Sequence, residues 1–424
     1  MWEVIQANKR KSALLIMVLA SVLLFLGYAI GGSFDPKSGG VLGVLVAMAV
    51  WVVLVLASVG SGEKILLATT GAHEVTHDSA PQVFNIVEEM KIASGLPAMP
   101  RVYIIDSDVP NAFAVGLNPK RAAVAVTTGL LARLDRDELQ GVIGHEIGHI
   151  SNRDTLFMTL AGVTMGSIII LADFYLRGMY FGMGNRSRSS SKSGGQAAAI
   201  MFVIALLFAI LAPILAQLLY FACSRKREYL ADASSAQFTR YPEGLASALL
   251  KISSFQGKGL KVNKAVAPMF TVNPLSAAGS RSSIFSSHPP TEDRIRVLRG
   301  MGKGSSLAAY EEAFRETHKN RSVLGARNLT NSVENGIREP AAAGTKPEAA
   351  KQWRSVQDLL HKVNQYATIA CVCGLNIKLP PAFDQKSVVC PRCGMSHPVP
   401  LAELTATATV LQTAMNKPMK PIRK

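Results

Sequence analysis

The stretch VIGHEIGHIS, Val142 to Ser151, carries two histidines four residues apart, with a glutamate directly after the first. On an α-helix, residues i and i+4 lie on one face, with Cβ atoms about 5–6 Å apart. His145 and His149 can therefore bind one zinc ion, with Glu146 beside it as a general base. The alternative is two solvated histidines. The chain has only 8 histidines, and glycines on this helix favour close packing or a bound group, so we prefer the metal site.

A catalytic zinc site needs a third protein ligand and one open position. The segment REYLAD, residues 227–232, offers Glu228 as that ligand, and Asp232 follows one turn later on the same face. Asp232 is placed to accept a hydrogen bond from the far nitrogen of a ligating histidine, which fixes the tautomer of the ring. The alternative for Glu228 is an exposed helix acid paired with Arg225 or Arg227. With HEIGH earlier in the chain, the ligand is the favoured interpretation.

The chain is 49% hydrophobic and 17% charged, and four apolar stretches are long enough to cross a bilayer. They are Ala13 to Ile30, Val41 to Val59, a third within Thr155 to Leu176, and Ala197 to Ala222. The first stretch is also a candidate signal peptide, but it has no clear small-x-small cleavage site, so we expect a retained hairpin. Two stretches separate His149 from Glu228, which puts both ligands on one side of the membrane.

The charge pattern suggests an orientation. Lys9, Arg10 and Lys11 precede the first apolar stretch and should stay in the cytoplasm, which places the polar segments there as well. The loop from Asp173 to Gly195 carries four basic residues and conflicts with this topology. The formal net charge is +16. Because no RNP motif or basic-aromatic interleaving is visible, we expect attraction to anionic lipid headgroups and no nucleic-acid partner.

Between the second and third apolar stretches, the pattern predicts a small α/β unit. We expect a helix over Ala80–Ser94 and strands at RVYIID (101–106), NAFAVG (111–116) and RAAVAVTTG (121–129). The helix that carries HEIGH should begin after Asp135, with Glu138 completing a capping box.

HEIGH, followed by an apolar hairpin and SRKREYLAD (224–232), resembles the HtpX-like membrane zinc metalloproteases, relatives of the CaaX prenyl proteases. PNAFAVG (110–116) and SSHPPTEDRI (286–295) also resemble motifs of that family, and the resemblance covers roughly residues 1–300. It implies the following roles: His145, His149 and Glu228 as ligands of a catalytic zinc, Glu146 as catalytic base, His288 and Arg294 as stabilisers of the oxyanion, and Asn111, Ala112, Phe113 and Ala114 as a substrate-binding strand at the cleft. From the residues alone, His288 is equally a loop residue and Arg294 equally a surface charge.

The resemblance implies a multi-pass α-helical membrane protein with an α+β zincin-like (gluzincin) metalloprotease domain. It implies an endopeptidase that cleaves misfolded or selected membrane proteins in quality control, in the bacterial inner membrane with the protease domain facing the cytoplasm. A CaaX-type prenyl protease is a less favoured alternative, because that group resembles a larger, more multispanning architecture. The alternative from another class is a membrane-anchored adaptor with an idle protease domain.

Four of the five cysteines cluster near the C-terminus. Cys371 and Cys373 form one short pair, and Cys390 and Cys393 form a second about fifteen residues later, each followed by glycine. This spacing predicts a small zinc ribbon with a structural zinc. The alternatives are disulfides or free thiols, and a reducing cytosolic face disfavours disulfides. The sequence leaves three roles open for this module, which are presenting substrates, contacting a partner and only stabilising the tail. Cys223 is expected to be a packed apolar residue.

These patterns divide the chain into successive segments. The predicted segments are an N-terminal transmembrane hairpin at 1–60, the first part of the protease domain at 61–156, a second transmembrane hairpin at 157–222, the second part of the protease domain at 223–319, a linker at 320–364, the zinc-ribbon-like module at 365–400 and a basic tail at 401–424.

Overall fold

The computed structural model describes residues 2–35, 37–181, 195–255, 288–302, 304–324, 336–340, 349–364, 366–380, 383 and 385–399. Most of the predicted basic loop, and the basic tail, lie outside these residues. The chain forms two compact units, Met1–Glu74 with Gln82–Lys346, and Val75–Pro81 with Pro347–Lys424.

The helices, in chain order, are α1 (Trp2–Phe34), α2 (Gly39–Thr69), α3 (Pro81–Ser94), α4 (Thr128–Leu131), α5 (Arg136–Ser151), α6 (Asp154–Phe181), α7 (Gly195–Thr239), α8 (Pro242–Ser253), α9 (Thr291–Gly300), α10 (Leu307–Thr317) and α11 (Ala349–Val363). The strands are β1 (Ala72–Val75), β2 (Arg101–Ile105), β3 (Ala112–Val115), β4 (Ala123–Thr127), β5 (Ala367–Ala370), β6 (Asn376–Leu379), β7 (Ser387–Val389) and β8 (Ser396–Pro398). A 3₁₀ turn at Pro119–Arg121 separates β3 from β4.

Among the described residues, four helices are long and apolar enough to cross a membrane, as the sequence predicts. The apolar segments lie within α1, α2, α6 and α7. In α7, the apolar part continues without a break into REYLAD, so one helix includes both a candidate membrane span and Glu228. The third predicted ligand therefore lies on the same continuous helix as a candidate membrane span.

Glycines allow α1 and α2 to pack with their backbones in close contact. A Cβ atom added at Gly43 would lie 2.0 Å from the carbonyl oxygen of Gly27, and one at Gly31 would lie 2.0 Å from that of Gly39. Both helices carry their glycines four residues apart, which is the small-xxx-small pattern of membrane helix packing. The first hairpin therefore depends on residues without side chains at this seam.

The α/β unit contains a four-stranded sheet with the order β1-β2-β4-β3. Strand β2 runs parallel to β4, and β3 runs antiparallel to β4. The predicted helix appears as α3, whose buried face is formed by Val83, Ile86, Val87 and Met90. The predicted strands are all present, and β3 is the outermost strand on its side of the sheet.

Helix α5 begins as the sequence predicts. The Asp135 side chain accepts a hydrogen bond from the backbone N–H of Glu138, and the Glu138 side chain accepts one from that of Asp135. Glu138 also pairs with Lys251 of α8 at 2.6 Å. The capping box thus fixes both the start of α5 and its contact with α8.

The glycines of α5 are explained by close helix packing. A Cβ atom at Gly141 would lie 2.6 Å from the backbone nitrogen of Leu245 in α8, and one at Gly148 would lie 3.1 Å from Cβ of Ser234 in α7. Ser235 of α7 donates a hydrogen bond to the carbonyl oxygen of Gly141 at 2.7 Å. Glycine therefore lets α7 approach α5 closely, which brings their functional side chains together.

In the second unit, two antiparallel hairpins, β5–β6 and β7–β8, carry the cysteines at their ends. Helix α11 lies within the range predicted as a linker at 320–364 and belongs to this unit. Its Val356 is buried, and its Asp358 pairs with Lys378 of β6. The segment before the cysteines therefore includes a packed helix. The sequence analysis predicted a linker there because the overall composition of the segment is polar, although α11 has an apolar stripe.

Candidate metal centre

The structure brings His145, His149 and Glu228 together between α5 and α7. The Nε2 atom of His145 lies 3.6 Å from Oε2 of Glu228, and the Nε2 atom of His149 lies 3.3 Å from Oε1. One ligand atom from each residue lies within 4.8 Å of the others. Three side chains from two helices thus face one point, as the sequence predicts.

These three side chains fit a metal ion. His145 is completely buried, and its Nε2 atom has no hydrogen-bond partner among the described residues. A buried polar atom without a partner is costly, and a metal ion would supply the missing interaction. Two imidazoles and one carboxylate form a donor set typical of catalytic zinc, which leaves the fourth position open.

Asp232 takes the orienting position predicted for it. Its Oδ1 atom lies 2.9 Å from Nδ1 of His145, and Arg294 donates two hydrogen bonds to its carboxylate, at 2.8 and 2.6 Å. Burial alone would lower the pKa of His145, but the carboxylates of Asp232 and Glu228 close to its ring outweigh it, so the pKa is raised. An N–H at Nδ1 leaves the Nε2 lone pair directed at the metal position.

His288 and Arg294 both reach the same carboxylate. The Nδ1 atom of His288 lies 2.8 Å from Oε2 of Glu228, and an Nη1 atom of Arg294 lies 3.5 Å from it. Arg294 is not a surface charge, since it is 1% exposed. His288 does lie in a loop, but its side chain is buried. Arg294 is held mainly by Asp232, which the motif SSHPPTEDRI does not reveal.

The other two predicted elements lie beside the ligands. Glu146 is 2% exposed and sits on α5 between the two histidines in sequence. Strand β3, which includes Ala112, Phe113 and Ala114, packs against α5 at the edge of the sheet. The Asn111 side chain is buried and accepts a hydrogen bond from the backbone N–H of Ala112.

Two residues of this centre escaped the sequence analysis. Asp154, the first residue of α6, lies 3.1 Å from Nδ1 of His149 and pairs with the buried Arg227. Burial alone would lower the pKa of His149, but hydrogen bonds with Asp154 and Glu228 raise it well above its usual value. The available signal was an acid five residues after the second histidine, together with the rule that a ligating histidine usually donates its other N–H to a carboxylate.

The cysteines form a second cluster in the other unit. The Sγ atoms of Cys371 and Cys393 are 3.4 Å apart, those of Cys373 and Cys390 are 3.7 Å apart, and all four lie within 4.8 Å of one another. These separations exceed a disulfide bond, which is about 2.05 Å. Burial opposes ionisation of Cys390, but backbone N–H groups of Cys393 and Arg392 outweigh it and lower its pKa to about 6.

The glycines after both cysteine pairs adopt the left-handed backbone conformation. Their φ angles are 81° at Gly374 and 75° at Gly394. Only glycine adopts such angles without strain. The cluster therefore fits a zinc-ribbon-like module, as the sequence predicts.

The sequence profile of peptidase family M48 matches residues 77–302, which include both histidines of HEIGH and Glu228. The chain belongs to peptidase family M48. It is 44% identical over 310 residues to a protein of Dictyoglomus thermophilum called "Protease HtpX homolog", covering 73% of this chain and 98% of that relative. A Listeria monocytogenes protein with the same description is 41% identical over 306 residues, covering 71% of this chain and 100% of the relative. These matches confirm the predicted resemblance.

Among solved structures, the crystal structure of S. mikatae Ste24p is similar over 70% of this chain and 67% of that one, with a TM-score of 0.40 and 19% identity. The M48 match and the curated relatives make this chain a metalloprotease with membrane helices, and the family match ends before the cysteine module.

Proposed function

We propose that this M48 metalloprotease is a zinc-dependent endopeptidase that cleaves misfolded or selected membrane proteins in quality control. The observation that carries the proposal is the convergence of His145, His149 and Glu228, whose ligand atoms lie within 4.8 Å of one another. The buried Nε2 atom of His145, which has no hydrogen-bond partner in the described part of the chain, supports a bound cation there. Burial of Glu146 beside these ligands supports a base shielded from bulk water.

Each side chain would have a defined role in the reaction. A bound zinc ion would polarise the scissile carbonyl and raise the acidity of a water molecule. Glu146 would accept the proton of the attacking water and later donate it to the leaving amine. Asp232 would hold the ring of His145. His288 and Arg294 would stabilise the negative charge that develops on the carbonyl oxygen.

Substrate would bind as an extended segment along β3. That strand ends its side of the sheet and packs against α5, so a peptide added there would run past the zinc ligands. Main-chain pairing with Asn111, Ala112, Phe113 and Ala114 would need little sequence preference. Such tolerance suits an enzyme that acts on misfolded chains.

The membrane placement follows from the helices and the basic residues. The apolar parts of α6 and α7 lie between His149 and Glu228, and an even number of crossings supports placing both residues on one side of the bilayer. Lys9, Arg10 and Lys11 before the first span support a cytoplasmic location for that side, because basic residues flanking a span favour the cytoplasm. We therefore propose a protein of the bacterial inner membrane whose protease domain faces the cytoplasm.

The second unit would bind a structural zinc through Cys371, Cys373, Cys390 and Cys393. Four thiolates are a common closed set of ligands for structural zinc. The lowered pKa of Cys390 favours the thiolate form that a zinc ligand requires. Such a zinc site would stabilise the fold of this unit.

The test of the reaction uses the purified full chain and casein. Glu146→Gln should retain zinc and lose cleavage, because the amide cannot accept the proton of the attacking water. The matched control is Glu312→Gln, which removes an exposed carboxylate on α10 and should cleave casein at the wild-type rate. Cleavage by Glu146→Gln at the control rate would reject the assigned base.

The membrane-protein substrate class is tested in proteoliposomes. The enzyme is reconstituted with one membrane protein in two states, folded and thermally destabilised by a core substitution. The proposal predicts faster cleavage of the destabilised form, and Glu146→Gln should cleave neither. Equal cleavage of both forms would remove the quality-control role and leave the endopeptidase.

A further inference from the structure

Each histidine of the metal centre has its own carboxylate behind it. Nδ1 of His145 lies 2.9 Å from Asp232, and Nδ1 of His149 lies 3.1 Å from Asp154. In both cases the Nε2 atom faces Glu228. The two rings are therefore held in the same way, although their carboxylates come from different helices.

Each carboxylate is in turn held by a buried arginine. Arg294 of α9 pairs with Asp232, and Arg227 of α7 pairs with Asp154. Asp154 is 2% exposed and Arg227 is 5% exposed, so this ion pair is almost completely removed from water. A buried ion pair seldom adds stability over apolar side chains of similar size, so its presence calls for another role.

The backbone between α5 and α6 brings Asp154 to His149. Helix α5 ends at Ser151, and Arg153 takes a left-handed φ of 59°, which is uncommon for a residue with a side chain. Helix α6 then begins at Asp154. Across this two-residue break, Asp154 contacts a ring five residues earlier in the chain. Asn152, within the break, donates a hydrogen bond to Ser234 of α7 at 3.2 Å.

Arg227 connects this arrangement to the first membrane helix. One guanidinium nitrogen donates a hydrogen bond to Asp154, and another donates one to the hydroxyl of Ser12 in α1. Arg227 directly precedes the predicted ligand Glu228 in α7. A single turn of α7 thus supplies one metal ligand and fixes the orientation of another.

We propose that Asp154 is a positioning residue for His149, that Arg227 holds Asp154 in place, and that Ser12 ties this support to α1. The inference rests on the proposed zinc site at His145, His149 and Glu228. Asp154 accepts the Nδ1 proton of His149, which leaves the Nε2 lone pair for the metal. Loss of such a carboxylate partner typically weakens metal binding or activity by about 10- to 100-fold.

The test measures zinc affinity of the full chain in detergent, by chelator competition. The zinc that His145→Ala still binds is subtracted from the total, so that metal at the cysteine cluster is not counted. Asp154→Asn should weaken this affinity by about 10- to 100-fold. The matched control, Asp173→Asn, removes an exposed acid from the same helix and should leave the affinity unchanged.

A second readout separates positioning from general stability. Zinc raises the unfolding midpoint by an amount that depends on its dissociation constant. In Asp154→Asn, the zinc-dependent part of this rise should shrink. A merely structural role would instead lower the midpoint equally with and without zinc. Wild-type zinc affinity in Asp154→Asn, with or without such a uniform loss, would overturn the inference.

Two further variants test the support behind Asp154. Arg227→Gln should weaken zinc binding in the same direction as Asp154→Asn, and Ser12→Ala should do so to a smaller extent. The control Lys226→Gln removes the neighbouring exposed charge of α7 and should have no effect. If Arg227→Gln or Ser12→Ala matches this control, that part of the inference is wrong. If His145→Ala itself retains all the zinc, the proposed zinc site fails instead.

Discussion

Replacing Asp232 with asparagine removes the negative charge from an ion pair that is enclosed on all sides. Asp232 is 0% exposed, and its partner Arg294 is 1% exposed. The carboxylate accepts two hydrogen bonds from Arg294, at 2.8 and 2.6 Å, and contacts Nδ1 of His145 at 2.9 Å. In Asp232→Asn, the guanidinium stays buried but loses the closer of two carboxylates, while Oε2 of Glu228 remains 3.5 Å away.

The expected cost follows from this geometry. Removing one partner of a buried ion pair typically costs about 3–5 kcal/mol. A change of 1 kcal/mol moves the midpoint of a domain of 150–250 residues by about 2–4 °C, so we expect a drop of at least roughly 6 °C. Surface pairs contribute only about 0–1 kcal/mol, so the control Asp293→Asn, which breaks a partly exposed pair with Arg296, should shift the midpoint little.

The assay is thermal unfolding of the full chain in detergent, with zinc present. The double variant Asp232→Asn with Arg294→Met removes both charges and should be more stable than Asp232→Asn alone, because no buried cation that has lost its main partner remains. Two results would refute this account of the pair. One is an unfolding midpoint for Asp232→Asn within about 1 °C of the Asp293→Asn control. The other is a drop in midpoint for the double variant that equals the sum of the drops for Asp232→Asn and Arg294→Met measured separately.

Three further predictions concern other parts of the chain. Gly43→Leu should lower the yield of folded protein, because its side chain would meet the backbone of α1. The control Gly60→Leu should not, because no atom lies within 4 Å of a Cβ placed there. Size-exclusion chromatography measures the yield of both variants. Arg338→Gln should lower the unfolding midpoint, because Arg338 donates hydrogen bonds to side chains of α5 and to the end of α7. The control Arg354→Gln changes an exposed arginine and should leave the midpoint unchanged. Equal midpoints for the two variants would contradict this prediction. Cys390→Ser should lose one zinc ion per chain and keep casein cleavage, and unchanged zinc content would exclude the ribbon site.

The proximity of His145, His149, Glu228 and Asp232 was predictable because it follows from local rules of helix geometry. The i, i+4 spacing of His145 and His149 defines one helix face, and Asp232 follows Glu228 by one helical turn. The capping box at Asp135 is equally local, and the structure contains it. Alternating and periodic apolar patterns predicted the strands, α3 and the four apolar helices for the same reason.

The residues that were missed depend on contacts between distant segments. Asp154 reaches His149 only because the chain turns at Arg153, and its partner Arg227 lies 73 residues later. Arg338 belongs to a polar segment without periodicity and finds its partner Asp137 201 residues earlier in the chain. No local pattern identifies such pairs, since they follow from how α5, α6 and α7 approach one another.

The central claim is that three side chains from two helices hold one zinc ion. Anomalous diffraction at the zinc edge, on crystals of the full chain, tests it most directly. The account predicts a peak about 2.0–2.1 Å from the Nε2 atoms of His145 and His149 and about 2.0–2.2 Å from a carboxylate oxygen of Glu228. The claim would be contradicted if the protein contains zinc and cleaves casein, but its only anomalous peak lies among the four cysteines.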